Sequence, residues 1–281
     1  NEDSLRYIPL CGIAFHQPDY DSTNFGSMSL KNNVFEEMKL GMAGLRPTMR
    51  IFRNHFKNCH KAAMTTYDFR LNPPTFAAQL TEPLYLENNT IELPDHRWFE
   101  TRPLEGYSPL ALDAENLRIA RPTTSLNLTG EPNVYGILSN APLWVQGTPG
   151  QAYIRGFSDT NPYNQNTFPQ YRMTPRTTFG IYSQLMDAES LTESGYSADK
   201  LVVNGYHIDS VRYGVYGFKI QTNASLLSAP IEIENNWFRS CDSAFTYNKW
   251  NSGANMQTVP LLVRENKVDS CRVAFSLDHL G

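Results

Sequence analysis

The chain has 281 residues, of which 41% are apolar, 12% aromatic and 19% charged, with a formal net charge of −4 at pH 7. That length supports one large domain with a sizeable buried core, and the aromatic content argues against a disordered chain. An acidic balance without a basic run argues against a nucleic-acid partner, and no apolar stretch reaches the ~18 residues of a membrane-spanning helix. The sequence starts at Asn1 rather than Met, as a processed chain or a fragment does. Asparagine is the unusual count, with 24 residues. Asn disfavours helix interiors and tolerates left-handed turns, so strands and turns are expected.

In chain order, the apolar segment RYIPLCGIAFH (6–16) reads as the start of a strand-bearing unit. MSLKNNVFEEMKLGM (28–42) then aligns with MRIFRNHFKNCHKAA (49–63). Phe35 matches Phe56, Met38 matches Cys59, and Gly41 matches Ala62. LYLENNTI (84–91) is a partial third copy.

Residues 92–176 differ, holding ten of the 18 prolines. Strand-like pieces persist at SLNLTG (125–130) and PLWVQG (142–147), with TFGIYS (178–183) just beyond. The region reads as about four irregular coils with long insertions. Insertions in stacked repeats emerge on one side and often bind ligands. NPYNQNTFPQYRMTPR (161–176) is the leading exposed loop, with Tyr163, Tyr171, Arg172 and Arg176; LPDHRWFETR (93–102) adds Trp98 beside His96 and Glu100. Aromatic faces and Arg forks suit sugar rings and carboxylates.

Three C-terminal segments align at an offset of 30: LVVNGYHIDSVRYGV (201–215), IEIENNWFRSCDSAF (231–245) and LLVRENKVDSCRVAF (261–275). Leu201, Ile231 and Leu261 share a column, as do Ile208, Phe238 and Val268. Five of the six copies carry Asn two positions before a large apolar residue: Asn33, Asn54, Asn89, Asn236 and Asn266, with Tyr206 the exception. Apolar residues at i and i+2 form one face of a strand. Asn marks a turn, the large apolar residue points inward, and a small residue permits the last bend. One copy is one rung of a coil, and rungs must stack to bury their inner faces. Stacked Asn side chains form a ladder that satisfies turn backbone.

This N-x-F/I/V-x-x-C/V/M-x-x-G/A pattern resembles the right-handed parallel β-helix family, the pectate-lyase-like solenoids. The clear copies lie in 28–91 and 201–275, about half the chain. The repeat style also resembles secreted surface proteins of Bacteroidetes-type bacteria. The resemblance implies an all-β, single-domain right-handed parallel β-helix over 1–281, of eight or nine rungs. It carries over no catalytic residue, because neither calcium-binding aspartates nor an arginine base can be placed.

The sequence has no G-x-S-x-G, P-loop, HExxH or EF-hand motif, so no catalytic residue is assigned. No metal and no cofactor are expected, since no Cys/His spacing fits a zinc site. Of the four cysteines, Cys59, Cys241 and Cys271 fall in one inward column and read as buried free thiols. Asp209, Arg239 and Asp269 share an outward column, with the aspartates roughly 10 Å apart; they read as a charge ladder on a solvated strand. Phe275 closes the last rung six residues before the final Gly281, so further rungs or a partner protein are expected at that end. The expected function is a secreted or cell-surface stalk or adhesion module, with a polysaccharide or cell-surface glycan as partner. The alternative is a polysaccharide lyase or glycoside hydrolase, including a phage-spike-like depolymerase.

Overall fold

The computed structural model describes residues 11–15, 28–38, 40–44, 49–59, 62–66, 84–93, 134–139, 143–156, 178–186, 201–221, 231–251 and 261–280. Among them every regular element is a strand. A single strand, β1 (Cys11–Phe15), precedes seven rungs of three strands each. The first three are β2 (Met28–Lys31), β3 (Val34–Glu36), β4 (Leu40–Gly44); β5 (Met49–Phe52), β6 (His55–Lys57), β7 (Ala62–Thr66); and β8 (Leu84–Glu87), β9 (Thr90–Glu92), β10 (Val134–Ser139). The fourth is β11 (Leu143–Gln146), β12 (Tyr153–Arg155), β13 (Thr178–Met186), and the fifth β14 (Leu201–Asn204), β15 (His207–Asp209), β16 (Tyr213–Gln221). The last two are β17 (Ile231–Glu234), β18 (Trp237–Arg239), β19 (Ser243–Asn251), and β20 (Leu261–Arg264), β21 (Lys267–Asp269), β22 (Val273–Leu280).

Every third strand stacks on its predecessor, giving three parallel sheets of eight, seven and seven strands. The chain is a parallel β-helix. Each bend has a local cause. A residue with positive φ follows the first strand of six rungs, at Asn32, Arg53, Asn88, Gly205, Asn235 and Glu265. A second follows the next strand at Glu37, Asn58, Ser210, Ser240 and Ser270. Left-handed backbone turns the strand direction without a loop, and Asn, Ser and Gly tolerate it best.

One apolar cluster runs the length of the coil. Leu30, Ile51, Leu86, Val145, Val203 and Ile233 line it from one sheet, and Phe35, Phe56, Ile91, Ile154, Ile208 and Phe238 from another; all are buried. Phe35 and Phe56 stack with ring centroids 4.8 Å apart, the spacing of neighbouring strands.

Beside this core runs the polar ladder. Asn33 N–H donates to Asn54 Oδ1 at 2.9 Å, and Asn54 N–H to Asn89 Oδ1 at 3.0 Å. Tyr206 N–H donates to Asn236 Oδ1 at 3.0 Å, and Asn236 N–H to Asn266 Oδ1 at 2.9 Å. The amide nitrogens of Asn54, Asn89, Asn236 and Asn266 donate back to the carbonyls of Leu30, Ile51, Val203 and Ile233. Each amide therefore satisfies one N–H and one carbonyl of the preceding rung.

Two expectations change. Leu40, not Gly41, pairs with Ala62, so Gly41 stands level with Ala63, whose carbonyl would lie 2.5 Å from a Cβ on Gly41. One extra residue in the turn after Cys59 shifts the third strand by one. Second, the middle contributes fewer coils than expected: between Glu92 and Leu201 the described residues complete the third rung and form the fourth. The piece 125–130 lies outside the described residues.

Candidate functional site

The sheet that runs from β3 to β21 has three residues per strand, with the central one inward and its neighbours outward. The register sets two outward columns side by side. One column reads Val34, His55, Thr90, Tyr153, His207, Trp237, Lys267. The other reads Glu36, Lys57, Glu92, Arg155, Asp209, Arg239, Asp269. Charge alternates strictly along the second column over all seven rungs.

Two neighbouring pairs of these charges meet as ion pairs. Lys57 Nζ lies 2.7 Å from Glu36 Oε1, and Arg239 reaches Asp209 Oδ2 at 3.0 Å. The Lys57 ammonium lowers the Glu36 carboxyl, and Glu36 raises the Lys57 ammonium in turn. Tyr153 O–H donates to Glu92 Oε1 at 2.9 Å. Burial, and then that carboxylate, push the Tyr153 phenol up. The Arg155 guanidinium sits 5.4 Å from the Tyr153 ring centroid.

The neighbouring column spends its ring faces in the same way. His207 and Trp237 stack at 4.2 Å and 7°, and Lys267 Nζ covers the Trp237 ring at 4.4 Å. Burial lowers the His207 imidazole. Among the described residues no hydrogen-bond partner meets His207 Nε2 or Trp237 Nε1, both of which are buried.

The strand was expected to be solvated, and at Asp209 it is not: that residue is 3% exposed. The inward turn of β15 into the Ser210 bend tucks its carboxylate beneath the Arg239 guanidinium. Two further outward pairs follow the same rule. Arg264 grips Glu234 with two bonds of 2.9 and 3.1 Å. Arg272 pairs with Asp242, whose carboxyl it holds below its usual range.

Acid–base hydrolysis needs two carboxylates whose proton affinities are set apart. The Asp209 carboxylate is engaged by the Arg239 guanidinium at 3.0 Å and acts as an anchor for it. Sugar stacking needs a free ring face, and the Trp237 ring is covered by His207 on one side and approached by Lys267. Among the described residues no group of three or more His, Cys, Asp or Glu side chains could hold a metal.

The proposed ligand residues Trp98, Tyr163, Tyr171, Arg172 and Arg176, with His96 and Glu100, lie outside the described residues. The sequence alignments set Glu36 opposite Lys57 and grouped the last three members of the charged column, but did not join the two sets. From Lys57 the column runs through Glu92 and Arg155 to Asp209 at separations of 35, 63 and 54 residues, which no fixed period detects. Comparison with protein-family models, curated proteins and solved structures returns no match.

Proposed function

We propose that the chain is a rigid module of a secreted or cell-surface protein, serving as a stalk or adhesion unit. The alternating column from Glu36 to Asp269 carries this reading. Charges that alternate in sign from rung to rung, two pairs of them in direct contact, give cohesion between rungs and no run of like charge. Seven rungs at ~4.8 Å give a wall of roughly 30 Å, backed by one continuous core. A polysaccharide or cell-surface glycan is the proposed contact, through Trp98 and the 161–176 segment.

The test is incubation with acidic and neutral polysaccharides, with and without calcium. Products are read by mass spectrometry and ultraviolet absorbance, and retention by affinity electrophoresis. Retention without cleavage, lost in the Tyr171→Ala/Arg172→Ala double variant, supports adhesion. New oligosaccharides would replace this reading with a depolymerase, and an unsaturated chromophore would make it a lyase. Surface proteolysis of the source cells tests location, and a chain released only on lysis would overturn it.

A further inference from the structure

The outer wall from β3 to β21 leaves two opposite charges uncommitted at its middle. Glu92 and Arg155 stand in register on neighbouring rungs, yet among the described residues neither has an ion-pair partner. Glu92 accepts the Tyr153 O–H at 2.9 Å, and Arg155 lies against the Tyr153 ring at 5.4 Å. Arg155 is exposed and Glu92 half-buried. The charges to either side are paired within the chain, Glu36 with Lys57 and Asp209 with Arg239. In the neighbouring column Val34 is 66% exposed and Trp237 half-buried.

Strict alternation of sign makes this wall complementary to itself in one register. A second copy turned about a two-fold axis along the strands meets it column on column, with the rung order reversed. An axis through the fourth rung would set like charge on like. An axis between the third and fourth rungs joins opposite signs at all six facing rungs. Glu92 then meets the partner's Arg155, and Arg155 meets the partner's Glu92. Glu36 falls opposite the partner's Arg239 and Lys57 opposite the partner's Asp209, so the internal ion pairs of the two copies lie antiparallel. Val34 falls on the partner's Trp237. A glycan fits this wall less well, because the Trp237 ring is covered by His207 and approached by Lys267.

We propose that this wall is an isologous docking face for a second copy of the chain, with the coil axes antiparallel and Glu92 and Arg155 as its reciprocal anchors. Six rungs of ~4.8 Å by three residues of ~3.3 Å cover roughly 300 Å² a side, against the ~800 Å² of a stable interface. Pairing is therefore weak and electrostatic, and it matters where copies are crowded. The inference does not depend on the glycan reading, which rests on other residues.

The test follows the full chain by sedimentation equilibrium at low salt, up to about 1 mM. The mass is expected to rise with concentration towards twice the monomer, and to fall back near 1 M salt, where the screening length is about 3 Å. Arg155→Glu alone sets acid against acid, and Glu92→Arg alone sets base against base. Each is expected to weaken association by about tenfold or more. Mixed one to one, the two variants are expected to pair as strongly as the parent, because Glu92 of one meets the partner's Arg155 and the two introduced residues meet each other. A folding defect cannot produce that recovery, and thermal midpoints check each variant alone. A parent that stays monomeric at low salt, a single variant that pairs like the parent, or a mixture that does not recover would overturn the proposal. Retention of a monomeric parent by polyglutamate, lost in Arg155→Glu, would overturn it in favour of an acidic partner.

Discussion

The Tyr206 hydroxyl oxygen accepts the backbone N–H of Asn89 at 3.2 Å, although a whole rung lies between them. That intervening rung turns through six residues, Gly147–Ala152, and places Ala152 where its neighbours carry Asn or Tyr. Alanine brings no amide but leaves room for the Tyr206 ring, which would lie 2.9 Å from a Cβ on Gly147. The phenol thus replaces one missing rung of the ladder. Its burial pushes the Tyr206 pKa up and keeps the hydroxyl neutral. Tyr206→Phe is expected to strand the Asn89 N–H and cost about 1–3 kcal/mol. Tyr206→Asn restores the motif residue but opens a void and cannot span the gap, so it costs more, about 3–5 kcal/mol. Urea unfolding of both variants checks the order; a Tyr206→Asn variant as stable as the parent would refute it.

Gly205 illustrates a different constraint. Its φ of +73° is left-handed, yet Asn32, Arg53, Asn88, Asn235 and Glu265 hold positive φ in the equivalent position. Backbone freedom is therefore not the reason for glycine. A Cβ there would lie 2.1 Å from the Gly147 carbonyl oxygen. Gly205→Asn should destabilise by at least about 1–3 kcal/mol through overpacking, while Asn235→Gly should cost less than about 1 kcal/mol. Thermal midpoints of the two variants test this, and equal losses would sink it.

What the sequence made legible follows from chain economy. From Leu201 onward the offset is a constant 30, and the aligned columns coincide with the observed register of Leu201, Ile231 and Leu261. Where turn lengths vary, alignment loses its footing. One added residue after Cys59 moved the Gly41 partner, and the six-residue turn at Gly147 hid the fourth rung. The charged column escaped notice for the same reason: Glu92 and Arg155 are 63 residues apart in sequence but adjacent in space. Substitution of Asn by Tyr206 was visible as an exception, but its meaning depended on Ala152, which carries no pattern of its own.

The ion pairs of the alternating column should not be equivalent. Lys57 and Glu36 are 43% and 47% exposed, so solvent screens them, and Lys57→Ala should leave the urea midpoint nearly unchanged. The Asp209 side chain is 5% exposed beneath a half-exposed Arg239. Arg239→Ala leaves that carboxylate nearly buried without its cation, with an expected cost of about 2–4 kcal/mol. Adding Asp209→Asn should recover part of it. A double-mutant cycle in urea reads the coupling, and equal costs for Arg239→Ala and Lys57→Ala would contradict the ranking.

His207 gives the fold a pH response near neutrality. Stacked on Trp237 and partly buried, its imidazole is lowered from the ordinary 6.5 by burial, with Asp209 opposing and Arg239, Arg155 and Lys267 adding to the shift. The unfolded chain therefore binds this proton more readily than the folded one. The stability it protects is complete above about pH 6.5 and is lost as pH falls through the folded value. His207→Phe retains the ring and removes the titration. The fall in urea midpoint between about pH 7.5 and 5.5 should be smaller in the variant than in the parent, and an identical slope would exclude the assignment.

The cysteines should separate into two reactivity classes. All four are free thiols, with Cys59 and Cys241 buried and Cys11 and Cys271 half-exposed. Burial pushes both Cys59 and Cys241 up to about 12. The thiolate is the nucleophile, so at neutral pH these two need local opening before they react. Cys271 differs because it is half-exposed on the seventh rung, where its sulfur accepts the Cys241 N–H at 3.4 Å. Thiol titration of the native protein is expected to label Cys271 first and Cys59 and Cys241 only on unfolding, with four equivalents in denaturant. Fewer than four without reductant would show a disulfide. Native labelling of Cys241 at the rate of Cys271 would mean that the sixth rung, and not only the seventh, is frayed.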